Sequence, residues 1–476
     1  MLERKTKIIC TIGPSSFEIN KLTHLIESGM DAARLNFSHG SHELHKQYIN
    51  NIRTASKKTD KEIAIIQDLQ GPKIRIGKVE NGSVLLVEDH KFTITIDDIP
   101  IGSSEIVSTS YKNLVNEVKA GNTILLDDGY IILNVEKVTK NNIETIVVKG
   151  GYLKDNKGII APGVSSSAPS LSEKDIEDLK FGLENGIDAV ALSFVRSERD
   201  VIELKTIMKL FKKTVPIIAK IERYEGVEDI KDIIHESDAI MVARGDLGLE
   251  MPPEQVPVLQ KDIIKHCNFH GKPVIIATQM LESMIENPRP TRAEASDVAN
   301  AVIDGADCVM LSGETSIGKY PIEAVTYMHK IILATESKYH KIIEEYENTN
   351  YISDALGRAS CVISKQINAK AIVALTSSGY TPLNIAKYRP QEKIIVLTDN
   401  VGVQRVMNSL VWGCNAYLIP EQFPENDINK LTEYLKEIGN FSPDDLLVLV
   451  AGLSASRFLN ENIIKVIKIE KTSLKL

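Results

Sequence analysis

Three short stretches carry residue types suited to chemistry on charged oxygens. "AKIE" places Lys220 two residues before Glu222, "RGDLG" supplies Asp246, and "IAIIQDLQGPKIRIG" ends an apolar run at Asp68, ahead of Lys73 and Arg75. Glu222 and Asp246 have no His or Cys near them. Such a pair suits a hard cation: Mg²⁺ takes one or two carboxylates and leaves its other positions to water and phosphate, and Mn²⁺ accepts the same oxygen donors. On a strand, Lys220 and Glu222 face the same way, which sets an ammonium beside a metal-binding carboxylate. Cations gathered around a spreading negative charge are what phosphoryl transfer requires. Arg34 has the planar fork that grips a phosphate through two bonds. Taken singly, each feature has a plainer reading. A Lys-x-Glu is commonly a rim ion pair, and a lone Asp68 caps a turn.

The plainer readings weaken once the supporting elements are traced. Eight short β-rich runs recur: "TKIICTIG", "GMDAARLNFS", "EIAIIQDLQG", "GIDAVALSF", "VPIIAKIE", "DAIMVARGD", "KPVIIATQ" and "ADCVMLSGE". Most are followed by a helical pattern. Continuous apolar runs of this length read as parallel strands buried on both faces. Eight β/α units are what a TIM (β/α)₈ barrel requires, and in that fold the C-terminal strand ends converge on one pocket. Those ends hold Arg34, Asn36, Ser38, Asp68, Lys220, Glu222, Asp246, Thr278, Ser312 and Glu314. An open doubly wound sheet is the alternative that periodicity leaves standing.

Between the third and fourth units lies a different texture. "SVLLVED", "KFTITID", "TILLDDGYIILNV" and "IETIVVKG" are short strands with turn signals at Asn81-Gly82, Asp128-Gly129 and Asn141-Asn142. They predict a small all-β domain, a β-barrel lid inserted into one barrel loop over residues 72–168, with the catalytic barrel formed by residues 1–71 and 169–340. From residue 341 to 476, "AKAIVALTSSG", "KIIVLTD", "NAYLIP", "DLLVLVAG" and "IIKVIKIE" predict a third, α/β domain whose last two strands form an antiparallel edge pair. Helix starts are signed by Ser172 with Asp175 and by Thr291 with Glu294, both patterned as capping boxes.

Composition sets the outer bounds. The chain has 476 residues, 43% apolar and 25% charged, as expected of a soluble protein of two or three domains. A net charge of −8 argues against nucleic acid or an anionic membrane as the main partner. The five cysteines are widely separated, with neither zinc nor disulfide spacing, which predicts reduced thiols in a cytoplasmic protein. The N-terminal stretch "MLERKTKIIC" has no signal-like apolar run, and no segment approaches the length of a membrane span.

The stretches "KIICTIGPSS", "ARLNFSHG", "DLQGPKIR", "LSEKDIEDLKFGLENGIDAVALSFVR", "AKIERYEGV", "IMVARGDLG", "IIATQMLESMI" and "PTRAEASDVANAVIDGADCVMLSGET" occur in this order along nearly the whole chain. Together they closely resemble the pyruvate kinase family. The resemblance implies a TIM barrel, a mobile β lid and a regulatory C-terminal domain. It also implies phosphoryl transfer from phosphoenolpyruvate to ADP, giving pyruvate and ATP, in a homotetramer. By the same resemblance, Glu222 and Asp246 are the Mg²⁺ ligands. Lys220 stabilises the transferring phosphoryl group, and Arg34 holds the substrate phosphate. The backbone N–H groups of Ala243, Gly245 and Asp246 take the substrate carboxylate. Thr278 helps to protonate the enolate carbon, Ser312 and Glu314 line the same region, and His39, Arg75 and Lys157 meet the nucleotide phosphates.

Many members of the family bind K⁺ through positions matching Asn36, Ser38, Asp68 and the Leu69 carbonyl. Here Leu69, Gln70, Lys73 and Ile76 stand where those members usually carry Thr, Lys, Glu and a different neighbour. The pattern resembles the K⁺-independent subgroup, with the Lys73 ammonium replacing the monovalent cation. Ile160 stands where the family usually has Asn before Leu-Pro-Gly. The resemblance also places sugar-phosphate or AMP activation at "TSSGYT", with Thr376, Ser377, Ser378, Gly379 and Thr381 as contacts. The second effector loop, "AGLSASRFLNEN", offers Arg457 as its one clear anion binder. Two rival readings are another Mg²⁺-dependent barrel enzyme acting on pyruvate-like substrates, which would need no nucleotide clamp, and a catalytically inactive metabolite sensor.

Overall fold

The computed structural model describes residues 4–72, 74–164, 167–339, 351–419, 428–439, 441–451 and 462–470. Lys73 and Arg457, both singled out by the sequence, lie outside the described residues.

The eight apolar runs are strands β1 (Lys7–Thr11), β2 (Ala32–Asn36), β3 (Ala64–Asp68), β4 (Ala189–Leu192), β5 (Ile217–Ile221), β6 (Ala239–Ala243), β7 (Val274–Ala277) and β8 (Cys308–Leu311). Each pairs in parallel with its neighbours in the sequence of eight, and the ring closes where β1 meets β8, Lys7 opposite Cys308. That closure excludes the open doubly wound sheet. Every position is buried in all of these strands except β2, where Arg34 and Asn36 are half-buried. Those two side chains stand at the C-terminal mouth, where the packed interior gives way to a site.

One set of strand residues fills the barrel, among them Ile9, Ile66, Ile218, Met241 and Ile275. The other set packs outward against the helices, as Ile65, Leu192 and Val242 do. Helix starts follow the sequence signals. Ser172–Asp175 and Thr291–Glu294 form reciprocal capping boxes, and Ser197–Asp200 forms a third that the sequence reading passed over.

The insertion has its own core, built from Ile76, Phe92, Ile94, Ile124, Leu133 and Ile159 among others. Its strands form two hydrogen-bonded sheets, one of six strands and one of two, rather than a single closed ring. Asp128 and Gly129 adopt positive φ at the predicted turn between Thr123–Leu126 and Ile131–Val138.

The C-terminal domain is a five-stranded sheet. Its strands in chain order are β9 (Ala371–Leu375), β10 (Lys393–Thr398), β11 (Cys414–Leu418), β12 (Leu446–Ala451) and β13 (Ile463–Lys468), and their spatial order is β11-β10-β9-β12-β13. Four strands run parallel, and β12 pairs antiparallel with β13, as the short connection predicted. This domain docks under the N-terminal end of the barrel. Leu410 joins the apolar cluster that fills the barrel, and the Ala64 N–H donates to Ser409 Oγ at 2.9 Å. No helix among the described residues is long and apolar enough to cross a membrane.

Candidate active site

The C-terminal mouth of the barrel holds a compact array of charge. Asp68 ends β3 and is 1% exposed. Arg34, one strand away on β2, sets its Nε 2.6 Å from Asp68 Oδ2 and donates from Nη1 to Thr11 Oγ1 at 2.9 Å. Lys220 on β5 sets its Nζ 3.1 Å from Asp68 Oδ1 and 2.9 Å from Glu222 Oε1. Burial works to push the Asp68 carboxyl up, but the Lys220 and Arg34 cations outweigh it and hold it below the ordinary carboxylate value. Burial likewise works to lower Lys220, yet Asp68 and Glu222 keep its ammonium above the usual lysine value. Glu222 is raised, first by burial and then by the like charge of Asp246, against the pull of Lys220.

Asp246 lies in the first turn of the helix Arg244–Glu250, directly after β6, and Ala243 is the buried last residue of that strand. The two carboxylates offer only oxygen donors. Carboxylate oxygens are the donors a hard cation takes, so the residues fit Mg²⁺ or Mn²⁺.

Next to this pair the backbone takes a rare course. Thr278 and Gln279 both have positive φ, 67° and 54°. Residues without a glycine's freedom hold that region only when their surroundings enforce it. The enforcement comes from Arg244, whose Nη2 donates to the carbonyls of Thr278 at 2.8 Å and Gln279 at 3.2 Å while the guanidinium pairs with Asp297. The Thr278 hydroxyl accepts the Gly245 N–H at 2.8 Å and donates to the Ala277 carbonyl at 2.6 Å. Gly245 and Thr278, predicted for one substrate, are therefore in direct contact, and in this state the Gly245 N–H is engaged by Thr278.

Glu314 is 2% exposed and accepts the N–H groups of Ser312 at 2.7 Å and Leu281 at 3.1 Å, so it fixes two loops at the mouth. Ser312 Oγ is buried without a hydrogen-bond partner among the described residues. Asn36 accepts the Ser38 N–H at 3.0 Å, and the Leu69 carbonyl accepts the Ser193 hydroxyl at 2.7 Å. Asn36, Ser38, Asp68 and Leu69 therefore sit close around the β2 and β3 ends.

Arg75 and Lys157 come together on the lid, where Arg75 bridges to Gly158 and the Ile76 N–H donates to the Lys157 carbonyl at 2.9 Å. The Lys157 ammonium pairs with Asp127 at 2.6 Å. His39 is exposed on the loop after β2. No hydrogen bond or ion pair among the described residues joins His39, Arg75 or Lys157 to the Lys220 array. The lid touches the barrel rim elsewhere: Arg223 donates to the Val164 carbonyl at 3.0 Å and lies 3.7 Å from Glu250.

In the C-terminal domain, Thr376 and Thr381 are buried and Ser378 is exposed. Thr376 Oγ1 accepts the Gly379 N–H at 2.9 Å across the β9-to-helix turn, so that N–H serves the loop itself.

Sequence reading missed Thr11, Ser193, Arg244 and Asp127. Thr11 ends β1 and Ser193 directly follows β4, and what marks them is contact with Arg34 and Lys220, cations on other strands that neither local sequence reveals. The Arg244 and Asp127 contacts depend on partners distant in sequence, which no local pattern exposes.

The pyruvate kinase barrel-domain family matches residues 3–325, and the pyruvate kinase alpha/beta-domain family matches residues 354–467. The chain is 46% identical over 473 residues to a pyruvate kinase of Geobacillus stearothermophilus, covering 98% of this chain and 80% of the relative. It is 43% identical over 471 residues to one of Staphylococcus aureus strain USA300, covering 97% and 80%. A crystal structure of a pyruvate kinase from Cryptosporidium parvum superposes with a TM-score of 0.92 at 38% identity, covering 98% of this chain and 96% of the other.

Proposed function

Because the chain belongs to the pyruvate kinase family and is a phosphotransferase, we propose that its barrel mouth moves the phosphoryl group of phosphoenolpyruvate to ADP, with Lys220, Arg34, Glu222 and Asp246 as the principal groups. The observation that carries this assignment is the sharing of Asp68. Two cations from different strands, Arg34 and Lys220, are aimed at one pocket by a single buried carboxylate. In this reading a β-phosphate oxygen of ADP attacks the phosphorus, the bond to the enol oxygen breaks, and pyruvate enolate leaves. Lys220 offsets charge on the phosphoryl group and the departing enolate oxygen, and Arg34 orients the phosphate. Glu222 and Asp246 hold Mg²⁺ or Mn²⁺, which supplies charge neutralisation on phosphate oxygens. Thr278 orders the water that protonates the enolate carbon, supported by its enforced positive φ. The Ala243 and Asp246 N–H groups, the Gly245 N–H once Thr278 releases it, and Ser312 and Glu314 frame the substrate carboxylate and the methylene side. His39, Arg75 and Lys157 meet the nucleotide when the lid closes.

The finer reading rests on sequence. Lys73 takes the part of a monovalent cation in the pocket of Asn36, Ser38, Asp68 and Leu69, so K⁺ is not required. A phosphorylated sugar or AMP activates through Thr376, Ser377, Ser378, Gly379 and Thr381. The enzyme is a cytoplasmic homotetramer, with domain boundaries near residues 72, 169 and 341.

ATP formation from phosphoenolpyruvate and ADP with Mg²⁺, measured with and without K⁺, tests the core of this. Equal rates support both the reaction and the role of Lys73, and activity only with K⁺ removes Lys73 from it. Lys73→Glu should create K⁺ dependence, and indifference to K⁺ in that variant would end the charge-substitution argument. Rates that stay flat across a panel of sugar phosphates and AMP would remove the effector assignment.

A further inference from the structure

We propose that Ser193 is a positioning residue for the phosphoryl transfer: its hydroxyl, at the end of β4, sets where the Lys220 ammonium stands. This rests on the role given above to Lys220.

An ammonium has three protons to donate. Those of Lys220 meet three oxygens: Asp68 Oδ1 at 3.1 Å, Glu222 Oε1 at 2.9 Å and Ser193 Oγ at 2.8 Å. Two of these oxygens belong to carboxylates, and each competes with substrate for the cation. The third is neutral. It accepts from Lys220 while its own proton goes to the Leu69 carbonyl at 2.7 Å, so the hydroxyl is oriented by the backbone that follows Asp68. Ser193 is 3% exposed, so no bulk water stands in for it.

The next residue extends the hold. The Phe194 N–H donates to Glu222 Oε2 at 2.8 Å, the oxygen that does not face Lys220. Phe194 does this at φ 57°, a left-handed conformation that a bulky aromatic residue seldom adopts. Gly71 completes the enclosure. At φ 70° it lies so close that an added Cβ would stand 2.9 Å from Phe194 Cδ2 and 3.1 Å from Ser193 Cβ. One dipeptide therefore grips the transfer cation through a side chain and the proposed metal ligand through the backbone, and it fixes their separation. When substrate draws the ammonium away from a carboxylate, Ser193 keeps its position defined without adding negative charge.

The test is a double-mutant cycle in the intact enzyme, Ser193→Ala against Lys220→Ala, with phosphoenolpyruvate, ADP and Mg²⁺ as reactants. Loss of a hydrogen bond to a charged group predicts a fall in kcat on the order of 10- to 100-fold for Ser193→Ala. The KM for phosphoenolpyruvate and the Mg²⁺ concentration giving half-maximal rate should hold, because Glu222 keeps its Phe194 contact. In the Lys220→Ala background, Ser193→Ala should cost nothing further. An unchanged kcat, or the same fold-loss in both backgrounds, would overturn the positioning role while leaving the site reading intact. Full activity of Lys220→Ala alone would overturn the site reading and this inference with it. If Ser193→Ala does not fold, Ser193→Cys, which keeps the side-chain size and weakens the hydrogen bond, is judged by the same cycle.

Discussion

Arg34 Nε lies 2.6 Å from Asp68 Oδ2, between two strands that meet in register at Asn36 opposite Asp68. Asp68 is almost wholly buried and serves Lys220 with its other oxygen. Removing its charge leaves two cations near one another in a region of low exposure, which is costly. Asp68→Asn is therefore expected to lower kcat by about two to three orders of magnitude. It should also change the acid limb of stability. The folded carboxyl lies below its ordinary value, so it stabilises the fold above that value, and the contribution is lost as pH falls through the folded pKa. Melting curves below about pH 4 should show the wild type losing stability more steeply than Asp68→Asn. Parallel curves would remove the linkage.

Glu250 predicts the opposite sign. Its carboxyl is pushed up to about 7, first by burial and also by Glu225 and Asp246, against Arg223 and a backbone hydrogen bond from Gly163. A raised carboxyl binds a proton more readily folded than unfolded. Its contribution to stability is full below the ordinary glutamate value and disappears as pH rises through about 7. Glu250→Gln, permanently neutral, should melt higher than the wild type at pH 8, by about 2 °C or more, and close to it at pH 4.5. A constant difference across that range would show that Glu250 does not titrate within it.

The scaffold was legible because its signal is local and repeated. Eight apolar runs closed by polar ends suffice to place Arg34, Asp68, Lys220 and Glu222 on one rim, since the barrel brings every strand end to that rim. What each side chain touches there was not legible. Ser193 was hidden because a hydroxyl at a strand end has no distinctive neighbour in sequence, and its partners, the Lys220 ammonium and the Leu69 carbonyl, come from β5 and from the residue after β3. Arg244 carried no signal of its own, because its partners Thr278 and Asp297 lie 34 and 53 residues away. The lid strand Ile106–Ser108 was missed for another reason: three residues flanked by turns are too few to show alternation.

Lys157 is expected to meet nucleotide phosphate, yet its ammonium is 2.6 Å from Asp127 on the same lid. The two interactions compete for one cation. Lys157→Ala should raise the KM for ADP by about tenfold and leave that for phosphoenolpyruvate nearly unchanged, as expected for one charge-assisted contact. Asp127→Ala should act in the other direction and lower the KM for ADP, because the cation is released from its resting partner. Steady-state kinetics with each substrate varied in turn separates these outcomes. An Asp127→Ala enzyme with weaker ADP binding would mean that the pair orients Lys157 rather than restraining it.

Arg389 and Asp307 tie the C-terminal domain to the base of the barrel. The guanidinium forks onto both carboxylate oxygens, at 2.9 and 3.0 Å, and also donates to Asn268 Oδ1 and the Gly305 carbonyl. Arg389 is 3% exposed at its side chain and Asp307 5%, so neither charge has water to fall back on. Arg389→Ala strands a buried carboxylate and should destabilise the protein by about 3–5 kcal/mol. Replacing both, Arg389→Met with Asp307→Leu, should recover much of that loss, since the cost lies in the unpaired charge. The chain's single tryptophan gives a direct readout: Trp412 has the Arg389 guanidinium 5.0 Å from its ring centre and donates its backbone N–H to Asp307 at 3.3 Å. Its emission should shift to the red in Arg389→Ala before the global melt, as the interface takes up water. If emission and far-UV circular dichroism instead change together, at the wild-type midpoint, the pair is not what holds the two domains in register.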